Sequence, residues 1–401
     1  QLEAATFAFL EETLVPNLSR TAPNVIGFTL NYSQVYSSLS CMAYLRERHG
    51  SLPMVFVLGG MSAVQPQVVN VLKRLGVDAY ICAGEGERKL ADFVNGLVCE
   101  RLQGSRRGFH VSPGKVDGIF HVGDDVDLYE RDGSLYEGQF QDLAALPPPD
   151  YAEYFTSLKR LCLTDDTFQV LKNSISYVLV EGSRGCFAKC DFCGLNYLWD
   201  GFRSKSADEV LARSLESISA HGVPAVNFVD NVTDAWAPRF AKEVVSARSG
   251  IKSFIEIRAT HPFAFWVRLY LAGVEEVQVG IEAISSSLLA RMNKGTTVLQ
   301  NLRVHKYLQE LNIKCFNNLI THHVHSSLSD VRETRRVLQI ASHFRPFSLS
   351  RFGLQVGSPA YDELERDEKT GLVVLSPFPV LGVPEHLRRN LIGYYFESPV
   401  R

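Results

Sequence analysis

Apolar runs of strand length alternate with amphipathic segments of helix length in two series, an alternation that restricts this chain to parallel sheets flanked by helices. In the first series Leu2 to Val15 has helical apolar spacing and Val25 to Leu30 is β-rich. Gln34 to Arg48 then reads as a helix and Met54 to Leu58 as a buried strand ending in Gly59-Gly60. Gln65 to Leu75 is again helical, and Ala79 to Cys82 is a strand ending in Gly84-Glu85-Gly86-Glu87. This predicts a doubly wound parallel sheet. Between Gly104 and Asp150 Gly, Pro, Asp and Ser prevail, with a hairpin expected at Tyr129 to Gly138, turning on Asp132-Gly133. A second series starts near Ser174, with strands near 176–180, 225–229, 254–257, 276–279 and 314–319 and helices between them. Five or six βα units predict a partial parallel barrel, with chemistry at the C-terminal strand ends. The expected divisions are 1–110, a linker at 111–172, the barrel at 173–345 and a closing region at 346–401.

At 401 residues the chain exceeds what one core holds, about 250 to 300 residues. Its net charge of −3, with both signs interspersed, offers no basic stripe for nucleic acid. No apolar run approaches a membrane span and no signal peptide opens the chain, so cytoplasmic residence and a small-molecule substrate are expected. Eight cysteines are too few for a disulfide scaffold.

Three of them crowd into Glu181-Gly-Ser-Arg-Gly-Cys186-Phe-Ala-Lys-Cys190-Asp-Phe-Cys193, after a strand end. The C-x3-C-x2-C spacing lets a short loop wrap one metal centre. A closed cluster normally takes four cysteines, so three leave one iron open to a substrate. A zinc site would want a fourth Cys or His, and none occurs from Ser174 to Ser219. Chance crowding of structural thiols is the competing reading.

The triplet resembles the signature of the radical S-adenosylmethionine (SAM) superfamily, which implies a 4Fe-4S cluster whose open iron binds SAM. Gly280-Ile-Glu282-Ala-Ile-Ser285 is similar to the family's fourth-strand segment that touches SAM. Alone, this segment reads equally as a βα turn capped by Ser285. Asp230 and Asn231 end the second strand and Glu256 and Arg258 the third, and by position these are expected SAM or substrate contacts.

The segments 53–62 and 78–87 resemble the Rossmann-like cobalamin domain that precedes the barrel in a large subgroup, the cobalamin-dependent radical SAM methyltransferases. Gly59, Gly60, Gly84 and Gly86 let a bulky ligand approach the backbone, and Ser62, Glu85 and Glu87 offer polar groups to it. The linker around Pro147-Pro148-Pro149-Asp150 and the segment 352–361 also resemble that subgroup. The fold class implied is α/β: a cobalamin domain, a partial (β/α)6 barrel and a small C-terminal region. An Asp-x-His-x-x-Gly motif for a lower axial ligand is missing, so cobalt without a protein histidine beneath it is expected.

Within the subgroup, overall likeness is to tryptophan 2-C-methyltransferases of thiopeptide biosynthesis. That implies methyl transfer from SAM through methylcobalamin to carbon two of tryptophan, by polar chemistry, with an external electron donor. Glu209 lies three residues after Ser206 before an apolar helix, the spacing of a capping box. The sharper expectation makes its carboxylate a ligand of the open iron, blocking SAM chelation. In Thr321-His-His323-Val-His325 the second and third histidines share a face and are expected to line the barrel mouth as proton acceptors. Competing readings are a radical methylase of a peptide or unactivated carbon, a non-catalytic cobalamin-binding protein, and a transfer-RNA methylthiotransferase, which would need a second cysteine set.

Overall fold

The computed structural model describes residues 2–31, 34–49, 55–102, 116–124, 138–174, 177–364 and 395–397. Two compact units emerge, Gln1–Phe140 with Tyr197–Trp199, and Gln141–Asn196 with Asp200–Leu364.

The first unit opens with helices α1 (Leu2–Phe9) and α2 (Val15–Thr21), joined by a π-helical turn. Strand β1 (Val25–Thr29) is followed by α3 (Gln34–His49), β2 (Val55–Gly59), α4 (Pro66–Leu75), β3 (Ala79–Cys82), α5 (Glu87–Leu102) and β4 (Ile119–His121). The first three strands are parallel neighbours in that order, and β4 pairs antiparallel with β3. Phe56, Leu58 and Ile81 pack with Leu39 and Met42 of α3 and Val68 and Leu72 of α4. Val55, Val57, Tyr80 and Cys82 pack on the other face with Phe93 and Leu97 of α5. Apolar side chains on both faces explain why these strands read as unbroken apolar runs. The antiparallel edge strand was not foreseen, because three residues beside Gly118 carry no periodicity. The expected hairpin lies outside the described residues.

The second unit begins with α6 (Ala152–Leu161) and α7 (Asp165–Ser174), where the sequence suggested only a linker. Their apolar residues are largely solvent-facing, Leu161 and Val170 above all, which blurs the helical stripe. Then come β5 (Tyr177–Val180), the short pair β6 (Ser183–Arg184) and β7 (Arg203–Ser204), α8 (Ala207–His221), β8 (Ala225–Phe228), α9 (Ala237–Ala247), β9 (Lys252–Arg258), α10 (Phe263–Leu271) and β10 (Val274–Gly280). Helices α11 (Ser286–Arg291) and α12 (Val298–Glu310), strands β11 (Lys314–Phe316) and β12 (Leu319–Thr321), α13 (Leu328–Ile340) and β13 (Leu349–Arg351) complete it.

Five strands form one parallel sheet in the order β11-β10-β9-β8-β5. A bridge from Glu282 to Leu319 and the parallel pair β12-β13 carry the arc to a sixth position. This is the expected partial (β/α)6 barrel. Side chains alternate with period two: Ile255, Ile257, Val277 and Val279 pack against Phe240, Val244, Trp266 and Leu269 of the helices, while Glu256, Arg258 and Gln278 occupy the opposite face and are half-buried.

Trp266 is fully buried against Phe265 and donates from Nε1 to the His261 carbonyl at 3.1 Å. Trp266→Ala is expected to cost about 3–5 kcal/mol, read as a lower denaturation midpoint with an unchanged slope.

Candidate active site at the cysteine loop

The loop that carries the cysteines is fixed at its root. Val180 ends β5, and the next turn is held by Asp230 at the end of β8. One Asp230 oxygen accepts from the Gly182 N–H at 2.9 Å, and the other from the Ser183 hydroxyl and from Trp236 Nε1 at 3.0 Å. Asp230 is 3% exposed, and burial pushes its pKa up to about 6 against these hydrogen bonds. Gly185 then takes φ +80°, and a Cβ there would collide with the Gly201 carbonyl oxygen. The glycine thus lets the chain turn into Cys186. Beyond the third cysteine, Gly194 N–H donates to Gln355 Oε1 at 2.9 Å, tying the loop to the segment after β13.

Cys190 is buried and Cys186 and Cys193 are half-buried. Burial pushes all three thiols up, Cys193 to about 11, while the cations of Lys294 and Arg258 pull Cys186 and Cys190 back down. Ligands of one ion at about 2.3 Å would stand about 3.8 Å from each other, and among the described residues no three His, Cys, Asp or Glu side chains form a single-ion site. The thiols are nonetheless close enough for charge on Cys186 to reach Cys190 and Cys193. Three sulfurs in that wider grouping, with no fourth among the described residues, are the donor set of an open cluster.

Cations flank this loop. Lys294 Nζ lies 3.2 Å from Glu282 Oε1 and 5.6 Å from the Phe192 ring centre. Burial alone would lower its pKa, but Glu282 and Cys190 outweigh that and raise it. Gly280 makes room for the ammonium, since a Cβ there would sit 2.6 Å from Nζ. Glu282 itself adopts φ +59°, an uncommon conformation for a side-chain-bearing residue. Arg258 donates to the carbonyls of Lys294 and Gly295 at 2.9 and 3.3 Å and stands 5.6 Å from the Phe187 ring centre.

The structure thus brings Arg258, Gly280 and Glu282 to the cysteine loop, while other assigned residues are engaged within the protein. Asp230 has both oxygens engaged inside the protein and holds the root of the loop. Ser285 is fully buried and caps α11, its hydroxyl oxygen also lying 2.8 Å from a carboxylate oxygen of Asp330 and of Glu333, either of which can take its one proton. Glu209 accepts from the Ser206 N–H at 2.8 Å and its hydroxyl at 2.7 Å, completing a capping box on α8; those bonds lower its pKa. Asn231 is half-buried beside Asp230. His323 and His325 do not line an open mouth together: His323 is 2% exposed, and both rings turn toward Asp191, which sequence reasoning passed over although it sits inside the triplet.

In the first unit, the loops after β2 and β3 gather the remaining assignments. At Gly59 an added Cβ would meet nothing within 4 Å, and the buried Ser62 hydroxyl has no hydrogen-bond partner. Gly60 bends at φ +89°, where Asn31 Oδ1 accepts from the Met61 N–H at 2.9 Å. Gly84 takes φ +69°, Gly86 lies beside the Cys82 sulfur, and Glu87 starts α5 in solvent. Glu85 is buried and accepts from the Phe140 N–H at 2.8 Å. Open space over Gly59 beside an orphaned hydroxyl fits a bulky ligand at the strand ends.

Two outcomes follow. Gly185→Ala, strained by its φ and by the Gly201 carbonyl, is expected to destabilise the fold by about 1–3 kcal/mol and to lower iron uptake on anaerobic reconstitution. Glu256 is pushed by burial up to about 7, helped by the charges of Glu282 and Asp230. A carboxyl raised on folding loses its stabilising contribution as pH rises through that value. Glu256→Gln should therefore gain stability relative to the parent between about pH 4.5 and 7, as measured by denaturant titration at a series of pH values.

Residues 180–338 match the family described as the Radical SAM superfamily. Among curated proteins the chain is similar to anaerobic magnesium-protoporphyrin IX monomethyl ester cyclases. The Synechocystis sp. enzyme is 24% identical over 287 residues, covering 69% of this chain and 51% of that one. The Rubrivivax gelatinosus enzyme is 22% identical over 317 residues, covering 77% and 53%. The chain spans about half the length of these relatives. Among solved structures, the radical SAM methyltransferase TsrM from Kitasatospora setae, with cobalamin and a 4Fe-4S cluster bound, superimposes with a TM-score of 0.64 at 15% identity, covering 98% of this chain and 77% of that one. The cobalamin-dependent SAM radical enzyme OxsB with aqua-cobalamin gives 0.64 at 17%, covering 97% and 58%. At such identities the likeness is one of fold. Residues 180–338 of this α/β chain therefore match the Radical SAM superfamily, and the fold is shared with cobalamin-dependent radical SAM enzymes.

Proposed function

We propose that this chain is an enzyme that moves a methyl group from SAM, by way of a corrinoid, to a carbon of a small molecule. The observation that carries the reading is the loop of Cys186, Cys190 and Cys193, rooted by Asp230 and turned by Gly185 at the first strand exit of a parallel arc. When bound, the cluster supplies an open iron for the amino and carboxylate groups of SAM and an electron taken from an external donor, and the corrinoid supplies a cobalt that relays the methyl group. Lys294 and Arg258 place positive charge beside the thiolates, favouring the deprotonated form that binds iron. Gly59 and Ser62 offer the corrinoid an open backbone approach and a free hydroxyl.

The capping box bears on the chemistry. For Glu209 to reach an iron, its carboxylate would leave Ser206 and α8 would lose a cap worth about 1 kcal/mol. The capping box agrees with an iron left to SAM, and so with a route open to radical cleavage. Tryptophan, the substrate bound in one TsrM structure, is the first acceptor to try. A second reading, ring closure on a porphyrin ester, is favoured by the two curated cyclases.

Cys190→Ala is expected to lose most bound iron and all turnover, checked by iron assay and by mass spectrometry of products. Anaerobic incubation of the reconstituted full chain with methyl-labelled SAM, cobalamin and tryptophan should yield labelled tryptophan together with 5′-deoxyadenosine. Labelled tryptophan without 5′-deoxyadenosine would restore the polar route; unlabelled tryptophan would remove this acceptor.

A further inference from the structure

Asp191 sits between Cys190 and Phe192, and the mechanism above does not use it. Its backbone is pinned on both sides: the N–H donates to the Met292 carbonyl at 3.1 Å, and its carbonyl accepts from the Ala360 N–H at 2.8 Å. The side chain is therefore held in one place. The residue is 8% exposed, and neither carboxylate oxygen has an aligned hydrogen bond. Instead two imidazoles from the turn after β12 close on it. His323 Nε2 lies 3.5 Å from Oδ1 and His325 Nε2 3.2 Å from Oδ2. His323 is itself buried with Nε2 unpartnered, and its Nδ1 accepts from the His325 N–H at 3.2 Å.

A carboxylate is costly to bury without partners that compensate its charge. Here the compensation is partial, and the carboxylate belongs to the residue beside a cysteine ligand. The potential of an iron–sulfur cluster follows its net charge, its hydrogen bonds and its exposure, and groups just outside the ligands tune it. Charge on the residue next to a ligand acts through a medium of lower dielectric than water, which carries it further.

We propose that Asp191 is a positioning residue that sets the reduction potential of the cluster, with His323 and His325 as counterweights, an inference that rests on the cluster reading of the cysteine loop. A negative charge beside the cluster disfavours one-electron reduction, and the imidazole N–H groups turned toward the carboxylate offset part of it.

The test is a redox titration of the anaerobically reconstituted full chain, following the electron paramagnetic resonance signal of the reduced cluster, with iron content measured in parallel. Asp191→Asn should shift the midpoint to a more positive value at unchanged iron content. His325→Leu should shift it to a more negative value, and His325→Gln, whose amide can still donate, should bring it back toward the parent. His325 has 36% side-chain exposure, so its replacement spares the core and decides the matter if Asp191→Asn fails to hold iron. A midpoint unmoved in His325→Leu with iron retained overturns the proposal. A parent chain that takes up no iron overturns the cluster reading itself, and the two failures are told apart by the iron assay.

Discussion

Everything at the cysteine loop depends on one buried carboxylate. Asp230 gathers the Gly182 N–H, the Ser183 hydroxyl and the Trp236 indole N–H, so two strand ends and the start of α9 meet at one acceptor. Burial disfavours its charge, and the three donors favour it. Two of the donors are fixed by their surroundings. Trp236 is fully buried against Phe228 and Phe240, and Gly182 leaves no room for a side chain beneath the indole, where a Cβ would sit 2.5 Å from Nε1. The cysteines are thus displayed from a rigid stem, which supports the preorganisation that a metal site requires.

The fold was legible because its signals are local. Alternating apolar runs give the strands of both sheets, and the cysteine spacing gives the loop at the first barrel strand. What sequence reading could not supply were partners that arrive from far along the chain. Ser285 looked like a ligand contact, but Asp330 and Glu333 come to it from α13, some 45 positions on. His323 and His325 looked like a pair facing the mouth, because period two puts them on one face. The carboxylate that turns them inward lies more than 130 positions earlier, at Asp191. Glu209 was the reverse case, where the local capping signal outweighed the distant one.

The first unit shows the same division between local and distant information. Gly59 and Gly60 announce a strand exit in any reading, but only the structure shows that Asn31, at the end of the neighbouring strand, braces that turn through the Met61 N–H. Ser62 is left with a buried hydroxyl and no acceptor or donor for it, a small energetic debt carried at the carboxyl ends of the strands, where parallel sheets receive ligands. The antiparallel β4 covers one edge of the sheet, which leaves fewer open backbone groups for unwanted pairing.

The alternation on β9 and β10 has a consequence for how such a chain changes over time. Closed eight-stranded barrels fill their middle with branched aliphatic residues, so replacing one there disturbs packing. In this arc Glu256, Gln278 and Arg258 occupy the inward rows, and the aliphatic mass lies between sheet and helices. Inward positions can therefore be exchanged at modest cost to folding, which frees them to vary while the scaffold keeps its stability.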